Sequence, residues 1–448
     1  MKKLKLSQII SVSMMLFAIF FGAGNMIFPP AMGQLAGTNF LPALAGFVLT
    51  DAGIAILGIT AVVLVGNSMS DLGNLISKKF ALCLSVGVYL LIGPLFALPR
   101  TGSVSFEIAM LPYIGQDVSF IGSLVFTAVF FGITYYLSSN PNKIVDVVGK
   151  YLTPVLLISI LAIFIASFVY GSSQGAISFG AIGQPQGEYA TIPFFKGMIE
   201  GYNALDGPAG LAFAIIVITA IKDFGIENKK DIAKYTILCG LGSAMFLAVV
   251  YFMLTYVGAM CITPFANGGG LLHAVTNHFF GSAGGVILGV AVLLACLTTS
   301  IGLTTSFSDY FHSLRPQWSY KKIAAAVCLF SFMISNIGLS QLIQISLPIL
   351  IMIYPVTVVL IVLSFIKEKI ADKKMVYILA MIFTFIVSFV NGLDSIHISL
   401  GVVTELFRKL PFYELSVGWI FPACIGALIG LLPWPMYKNK INKKDESH

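Results

Sequence analysis

Residues 20–30 read Phe20-Phe21-Gly22-Ala23-Gly24-Asn25-Met26-Ile27-Phe28-Pro29-Pro30, inside an apolar segment that begins near Ile9. Two glycines, an asparagine and a Pro-Pro pair are poorly suited to an unbroken helix. In hydrocarbon an unpaired backbone N–H or C=O costs several kcal/mol, so a break needs neighbouring protein, water or a ligand to satisfy it. The stretch is therefore either a packing kink or half of a binding site.

The composition indicates a membrane protein. Of the 448 residues, 58% are hydrophobic and 10% are charged, and the mean hydropathy is +0.94. Soluble domains carry about 25% charged residues. The net charge of +7 therefore concerns membrane topology rather than nucleic-acid binding. The six cysteines form no Cys-x-x-Cys pair and the five histidines show no metal-ligand spacing, so neither disulfides nor a metal centre of that kind is expected.

Apolar segments long enough to cross a bilayer recur along the whole chain. We predict about twelve spans, at residues 8–33, 41–66, 80–111, 118–137, 143–170, 191–221, 231–258, 284–311, 321–337, 340–366, 374–391 and 415–437. With the N-terminus inside, the inner segments carry 22 of the 26 Lys and Arg residues, whereas the outer loops carry Arg408 and Lys409. The positive-inside rule then predicts that both ends are cytoplasmic.

The sixth predicted span is also interrupted near its middle. It contains Gly201, Asn203 and Asp206, followed by the Gly207-Pro208 pair. A proline pushes the residue before it out of helical geometry, so we expect the break at Gly207.

The first and sixth spans occupy matching positions in two sets of five. This spacing fits an inverted repeat, residues 1–171 against 190–366, followed by accessory helices at 374–437. Broken spans at corresponding positions of two halves point to a transporter binding site. We therefore predict an all-α membrane protein with a single transporter domain over residues 1–448.

The two breaks offer the chemistry that a zwitterion needs. Where a helix restarts, its free amides and positive dipole end suit a carboxylate, and Gly22, Ala23 and Gly24 would supply those amides. Unwound carbonyls around Phe21 and around residues 202–205 suit an ammonium group or a sodium ion. Together they describe a site for the two charged ends of an amino acid.

The eighth predicted span carries a dense run of hydroxyls from Thr298 to Ser306. Hydroxyls in helices often bond only to their own i−4 carbonyl, and that alternative stays open for each of them. Sodium, like other hard cations, prefers oxygen ligands. We expect Thr298 and Thr299, with carbonyls near Ala18 and Phe21, to form a neutral cage for a monovalent cation.

Charged residues inside the spans tend to face cavities or partners. Lys196 and Glu200 are four residues apart, so we expect them to pair on one helix face. Arg100 lies about 20 residues from the inner end of its span, roughly 30 Å along a helix, so we expect it to snorkel to the outer surface. Glu200 and Asp206 flank the second break and are expected to have structural and gating roles. Asp51 lies nearer the end of its span.

The first break and the block Lys196-Gly197-x-x-Glu200-Gly201-Tyr202-x-x-x-Asp206 resemble the bacterial branched-chain amino acid:cation symporter family, and the resemblance covers essentially the whole chain. It implies a secondary transporter of the amino acid–polyamine–cation superfamily, with a leucine-transporter-type fold in which helices 1 and 6 are broken. Such a protein would import leucine, isoleucine and valine with sodium, or with protons in some relatives, across a bacterial cytoplasmic membrane.

The resemblance also extends to individual residues. In that fold the first break carries a Gly-x-Gly-Asn signature, which the segment from Gly22 to Asn25 matches, and the eighth span supplies adjacent hydroxyls, which Thr298-Thr299 resembles. An arginine that often follows the first break in neurotransmitter-type relatives is replaced here by Ile27-Phe28, so their outer gate is not expected.

The side-chain pocket is expected among residues of spans three, six and eight. We assign Tyr89, Tyr202, Asn203, Leu205 and Ile301 to substrate binding, with plain packing as the alternative for each aromatic or aliphatic residue. A branched aliphatic ligand would need only shape and dispersion from such a pocket.

Other functions remain open at this point. A permease for another neutral amino acid or a nucleobase would be distinguished by a competition panel. An ion channel should show charged rings or carbonyl filters, and an intramembrane enzyme a nucleophile–base pair, and neither pattern is evident. No cofactor, nucleic acid or obligate protein partner is indicated. The expected partners are the amino acid, a coupling cation (Na+ or H+) and lipid.

Overall fold

The computed structural model describes residues 3–114, 119–139, 153–169, 173–174, 177–370 and 373–432. Two short antiparallel strands, β1 Ser173–Gln174 and β2 Ser178–Phe179, accompany a fold that is otherwise helical in this part of the chain. Parts of three predicted spans lie outside the described residues, namely 118, 143–152 with 170, and 433–437.

The helices of the described residues alternate with short turns. In chain order they are α1 Leu6–Phe20, α2 Ala23–Ala36, α3 Phe40–Val48, α4 Ile54–Val65, α5 Met69–Asn74, α6 Lys78–Leu90, α7 Ala97–Ala109, α8 Ser119–Ser138, α9 Thr153–Val169, α10 Pro193–Ala204, α11 Asp206–Asp223, α12 Lys229–Ala259, α13 Gly268–Leu314, α14 Tyr320–Ser335, α15 Leu339–Phe365, α16 Lys374–Asp394, α17 Val402–Arg408 and α18 Ile420–Gly430.

The chain forms two compact units. One contains Met1–Met69 with Ser85–Leu347, and the other contains Ser70–Leu84 with Pro348–His448. In the first unit α2 packs on α12, α10 on α3, α11 on α4 and α7 on α13. In the second unit α16 packs on α18. Both broken helix pairs therefore belong to the first unit.

Both predicted helix breaks are present. Phe21 and Gly22 separate α1 from α2, whereas α10 and α11 meet at Leu205 with a bend of 46°. Leu205 has a left-handed φ of 75°. The second break thus precedes the predicted point, Gly207, by two residues. Pro208 lies in the first turn of α11, where its missing N–H loses no helical hydrogen bond, so it starts this helix instead of interrupting it.

Other spans contain milder interruptions. π-helical turns at Leu49–Gly53 and Leu91–Leu95 join α3 to α4 and α6 to α7. α13 begins at Gly268, well before the eighth predicted span at 284–311. It changes direction at Gly281, where φ is 60°. By length and composition, seven helical segments of the described chain can cross a membrane, or eight when α10 and α11 count as one span.

α3 and α10 cross with their backbones in contact. A Cβ at Gly46 would overlap the carbonyl oxygen of Phe194, and a Cβ at Gly197 would overlap that of Ala43. Association of helices in a membrane depends on van der Waals packing, which small residues at the crossing strengthen. This crossing holds the first half of the second broken pair in place.

We expect Gly46→Val to lower the apparent unfolding temperature of the purified protein. The added side chain has no space at the crossing, and overpacking of this kind costs about 1–3 kcal/mol or more. Gly132→Val on α8 is the control, because a Cβ there meets no atom within 4 Å. Thermal unfolding measured by tryptophan fluorescence compares the two variants, and equal unfolding temperatures would contradict the close crossing.

Candidate functional site

The two breaks face each other across a small cavity. Its walls are Gly22–Asn25 and Ile19–Phe20 from the first break, Ala204, Leu205, Asp206, Ala209 and Phe213 from the second, Ala97, Arg100 and Thr101 from α7, and Thr299 and Leu303 from α13. The cavity volume is about 30 Å³, which is room for a water molecule or two. A larger ligand therefore binds only when the surrounding helices move apart.

Glycine residues allow the first break to lie close to its neighbours. A Cβ on Gly22 would lie 2.7 Å from the Thr299 hydroxyl, and one on Gly24 would lie 3.1 Å from the Ala204 backbone. The first backbone amides of α2 have no partner within the helix, and the N-terminus of α2, which is the positive end of the helix dipole, forms part of the cavity wall. The structure thus brings together the predicted residues Gly22, Ala23, Gly24 and Asn25 at an end that suits an anion.

Arg100 is a buried part of this site. Its side chain is 2% exposed, Nη1 donates to the Asn203 carbonyl at 2.5 Å, and Nη2 donates to Ser346 Oγ at 2.9 Å. Its guanidinium carbon lies 5.6 Å from the centre of the Phe28 ring. Within the described residues no carboxylate pairs with Arg100, and its Nε has no hydrogen-bond partner. A buried cation without a counter-ion favours an anionic ligand.

One expectation is therefore wrong. Arg100 does not snorkel to the outer surface, because the span turns at Leu91–Leu95 and a residue count along a bent helix overestimates depth. The carbonyl of Asn203 accepts from Arg100 and that of Tyr202 accepts from the Leu205 N–H, so each already has one donor within the protein. Backbone acceptors released by a break are satisfied here by the protein itself.

A hydrogen-bonded chain runs behind the first break. Asn25 Nδ2 donates to Asp206 Oδ2 at 2.7 Å and to the Tyr251 hydroxyl at 2.5 Å, and that hydroxyl donates to Asp51 Oδ2 at 2.5 Å. All four residues are buried. Sequence reasoning assigned Asp51 to the end of its span and missed Tyr251. A lone carboxylate in an apolar span is the signal that could have found the first of them.

The hydroxyl run of α13 contacts α1 as a pair. Thr298 Oγ1 donates to the Ala18 carbonyl at 3.0 Å, as well as to a carbonyl of its own helix, and Thr299 Oγ1 donates to the Ile19 carbonyl at 2.9 Å. The predicted grouping of Ala18, Thr298 and Thr299 is present, with Ile19 as the contact that was missed. Phe21 lies further along, in the break itself.

Two predicted pocket residues, Tyr89 and Ile301, do not line the cavity. Tyr89 precedes the π-helical turn of its span, and its ring stacks on Tyr310 with centroids 4.3 Å apart. Ile301 is two residues from Thr299, about 200° around the helix, whereas Leu303 is four residues away and shares the Thr299 face. Ala97, Arg100 and Thr101 of α7 and Thr299 and Leu303 of α13 form this part of the cavity wall instead.

The side chains of α10 before the break also face elsewhere. Tyr202 is buried and Asn203 Nδ2 donates to Glu200 Oε2 at 3.2 Å, and neither residue lines the cavity. Lys196 Nζ lies 3.0 Å from Glu188 Oε2, so its ion-pair partner within the described residues is Glu188 and not the expected Glu200. Glu188 lies in the turn before α10, where the long Lys196 side chain reaches it in a partly exposed setting. Of the predicted α10–α11 residues, Leu205 and Asp206 reach the cavity.

Comparison with known sequences identifies the family. A family model described as "Branched-chain amino acid transport protein" matches residues 5–434. The chain belongs to this family. The branched-chain amino acid permease BraB of Bacillus subtilis is 42% identical to it, over 95% of both chains. The permease BrnQ of the same organism is 40% identical, over 96% of this chain and 98% of the relative. The branched-chain amino acid transport system 2 carrier protein of Pseudomonas aeruginosa is 36% identical over 96% of this chain and 97% of the relative.

Two solved transporter structures share the fold of this chain. Mhp1, a nucleobase-cation-symport-1 family transporter in a closed conformation with bromovinylhydantoin bound, has a TM-score of 0.61 at 12% identity, covering 94% of this chain and 91% of that one. MhsT in complex with L-phenylalanine has a TM-score of 0.52 at 15% identity, covering 95% and 98%. Both have the leucine-transporter-type fold, as the sequence resemblance implied.

We expect Arg100→Lys to destabilise the protein. An ammonium group on a flexible stem cannot reproduce the fork that joins Asn203 to Ser346, and a hydrogen bond to a charged group contributes about 1.5–3 kcal/mol. Arg315→Lys is the matched control, because Arg315 is exposed and its side chain makes no ion pair within the described residues. Thermal unfolding of the two purified variants tests this, and an unchanged Arg100→Lys protein would refute the bracing role.

Proposed function

We propose that this protein is a cation-coupled symporter that imports leucine, isoleucine and valine across a bacterial cytoplasmic membrane by alternating access. The observation that carries the proposal is a cavity between two broken helices in a member of a branched-chain amino acid transport family. The names of the permease relatives support the substrate class.

The cavity walls complement a zwitterion with an aliphatic side chain. Arg100 and the first amides of α2 favour the substrate carboxylate, and the wall with Asp206 favours its ammonium group. Phe20, Phe213 and Leu303 offer apolar surface for the side chain. Because one methylene changes binding by about 1–3 kcal/mol, the three branched substrates would be poorly separated.

The coupling ion has a candidate site where α1 meets α13. The carbonyl of Ala18 and the hydroxyls of Thr298 and Thr299 are neutral oxygen ligands of the kind that sodium prefers. Thr298 Oγ1 lies 3.0 Å from the Ala18 carbonyl oxygen and Thr299 Oγ1 lies 2.9 Å from that of Ile19, which supports their convergence. Rotation of the two hydroxyls would turn their lone pairs toward an ion. Phe21 would add a further carbonyl from the break.

The topology we propose has twelve spans and an inverted repeat, residues 1–171 and 190–366, with accessory helices at 374–437. The matching positions of the two breaks support the repeat. The concentration of Lys and Arg in alternate loops supports cytoplasmic termini. In this arrangement Glu200, Asp206, Lys196 and Arg100 brace the second break as the two halves move.

Uptake of labelled isoleucine into proteoliposomes tests the proposed function. We expect accumulation when an inward sodium or proton gradient is imposed, and loss of accumulation when an ionophore collapses that gradient. Leucine and valine should compete, whereas phenylalanine and a nucleobase should not. Uptake that ignores both gradients would rule out cation coupling, and equal competition by phenylalanine would refute the substrate assignment.

The candidate sodium ligands predict a second outcome. We expect Thr298→Val and Thr299→Val to raise the sodium concentration needed for half-maximal uptake at least tenfold, because each removes an oxygen and keeps the side-chain shape. Thr60→Val is the control, since the Thr60 hydroxyl donates to Ile56 of its own helix at 2.8 Å. If the sodium dependence of all three variants matches that of the unaltered protein, these threonines are not ligands.

A further inference from the structure

A second cavity lies between the turn that precedes α7, the end of α13 and the start of α14. Its volume is about 560 Å³, and cavities of about 300–1,000 Å³ are typical of ligand sites. Its walls include Leu95 and Phe307 together with Trp318, Lys322 and Phe330. None of its wall residues lines the cavity between the two breaks, so it is a separate space in the fold.

The wall of this cavity changes from polar to apolar along α14. Gln317 and Trp318 lie in the loop before α14, and Lys322 lies in its first turn. The wall continues on the same face of α14 through Ala326 to Phe330, about 12 Å beyond Lys322. Phe330 is 40% exposed, so the apolar end of the cavity reaches the outer surface of the helices. A polar end followed by an apolar channel matches the order of headgroup and hydrocarbon tail in a lipid.

The polar end carries positive charge that the protein does not neutralise. Arg315, Lys321 and Lys322 are exposed and make no ion pair within the described residues. α14 has no acidic residue in its first turn, so its two lysines lie at the positive end of the helix dipole without compensation. Asp309 of α13 is the nearest acidic residue along the chain, and in the described part of the chain it pairs with none of these cations. A bound negative charge is therefore favourable here.

Of the molecules that a bilayer supplies, an anionic phospholipid satisfies both ends of the cavity. Basic pockets between membrane helices recognise anionic headgroups. Trp318 is 54% exposed, and tryptophan concentrates at the headgroup level of a membrane. A soluble anion would leave the apolar wall uncovered, whereas a zwitterionic lipid would leave the positive charge unmatched. We propose that this cavity binds an anionic phospholipid, with the phosphate near Lys322 and one acyl chain along Phe307 and Phe330.

The acyl chain would lie against the turn that leads into α7. Gly93 in this turn has non-helical backbone angles, and a Cβ there would lie 2.6 Å from the Phe307 ring. Phe307 therefore forms both a wall of the cavity and the packing surface of the turn. A chain packed on Phe307 and Leu95 adds dispersion contacts that the folded protein alone has. The bound lipid stabilises the protein for this reason.

Quenching of Trp318 fluorescence by lipids brominated on their acyl chains tests the site. The protein contains three tryptophans, and the part of the signal that is lost in Trp318→Phe reports on this position. One set of vesicles carries a small fraction of brominated phosphatidylglycerol in phosphatidylcholine, and the other carries the same fraction of brominated phosphatidylcholine in phosphatidylglycerol. We expect phosphatidylglycerol to bind at least about fivefold more tightly at Trp318, because each lysine near an anionic headgroup favours it by about that factor.

Replacing the two lysines of α14 together should abolish this preference. The variant combines Lys321→Gln with Lys322→Gln. Its matched control combines Lys229→Gln with Lys230→Gln, because these two exposed lysines begin α12 and do not line the cavity. Equal binding of both lipids to the unaltered protein overturns the proposal. A preference that survives in the α14 variant overturns the assignment of the headgroup to this cluster.

Ala326→Phe tests the position of the acyl chain. Ala326 lines the cavity, so the larger ring would take space that the chain needs, whereas the neighbouring exposed Ala325 does not line it. We expect phosphatidylglycerol to raise the unfolding temperature of the unaltered protein and of Ala325→Phe in detergent, and to raise that of Ala326→Phe by less than half as much. A full rise in Ala326→Phe places the chain elsewhere and refutes the cavity as its site. Neither measurement requires transport, so both decide the lipid site even if the proposed function fails.

Discussion

Backbone groups released inside a bilayer need partners within the protein, and two helix breaks create that need in this fold. The structure meets it with side chains from distant parts of the sequence. Arg100 of α7 takes the carbonyl of Asn203, and Asn25 of the first break reaches Asp206 at the second. The breaks are therefore held open by each other and by α7. This mutual support explains why irregular backbone persists in the most buried part of the chain.

The same arrangement limits how the protein can move. Where α10 lies on α3, Gly46 and Gly197 bring the backbones into contact, so these helices are expected to move as one body. The cavity between the breaks has room for only a water molecule or two. Admitting a branched amino acid thus requires displacement of one body against another, with Leu205 and Gly22 as the points where the helices are already interrupted. Rigid crossings and strained breaks together favour discrete states over gradual deformation.

Local signals in the sequence predicted much of the fold. Glycine, asparagine and proline marked both breaks, and the adjacent threonines of α13 predicted the contact with Ala18. Signals that depend on three-dimensional packing were missed. Nothing local in the sequence distinguishes an arginine that is buried beside a helix break, such as Arg100, from one that reaches the membrane surface. Likewise Ile301 and Leu303 are both apolar, and only the rotation of α13 about its axis decides which one faces the cavity.

Family membership and the contacts within the structure explain different features of the protein. Family membership and the shared fold account for a chain that crosses the membrane many times and handles branched-chain amino acids. They do not explain why Asp51 and Tyr251 lie behind the first break. That position follows from their hydrogen bonds, since Tyr251 joins Asp51 to Asn25, and Asn25 in turn joins Asp206 at the second break.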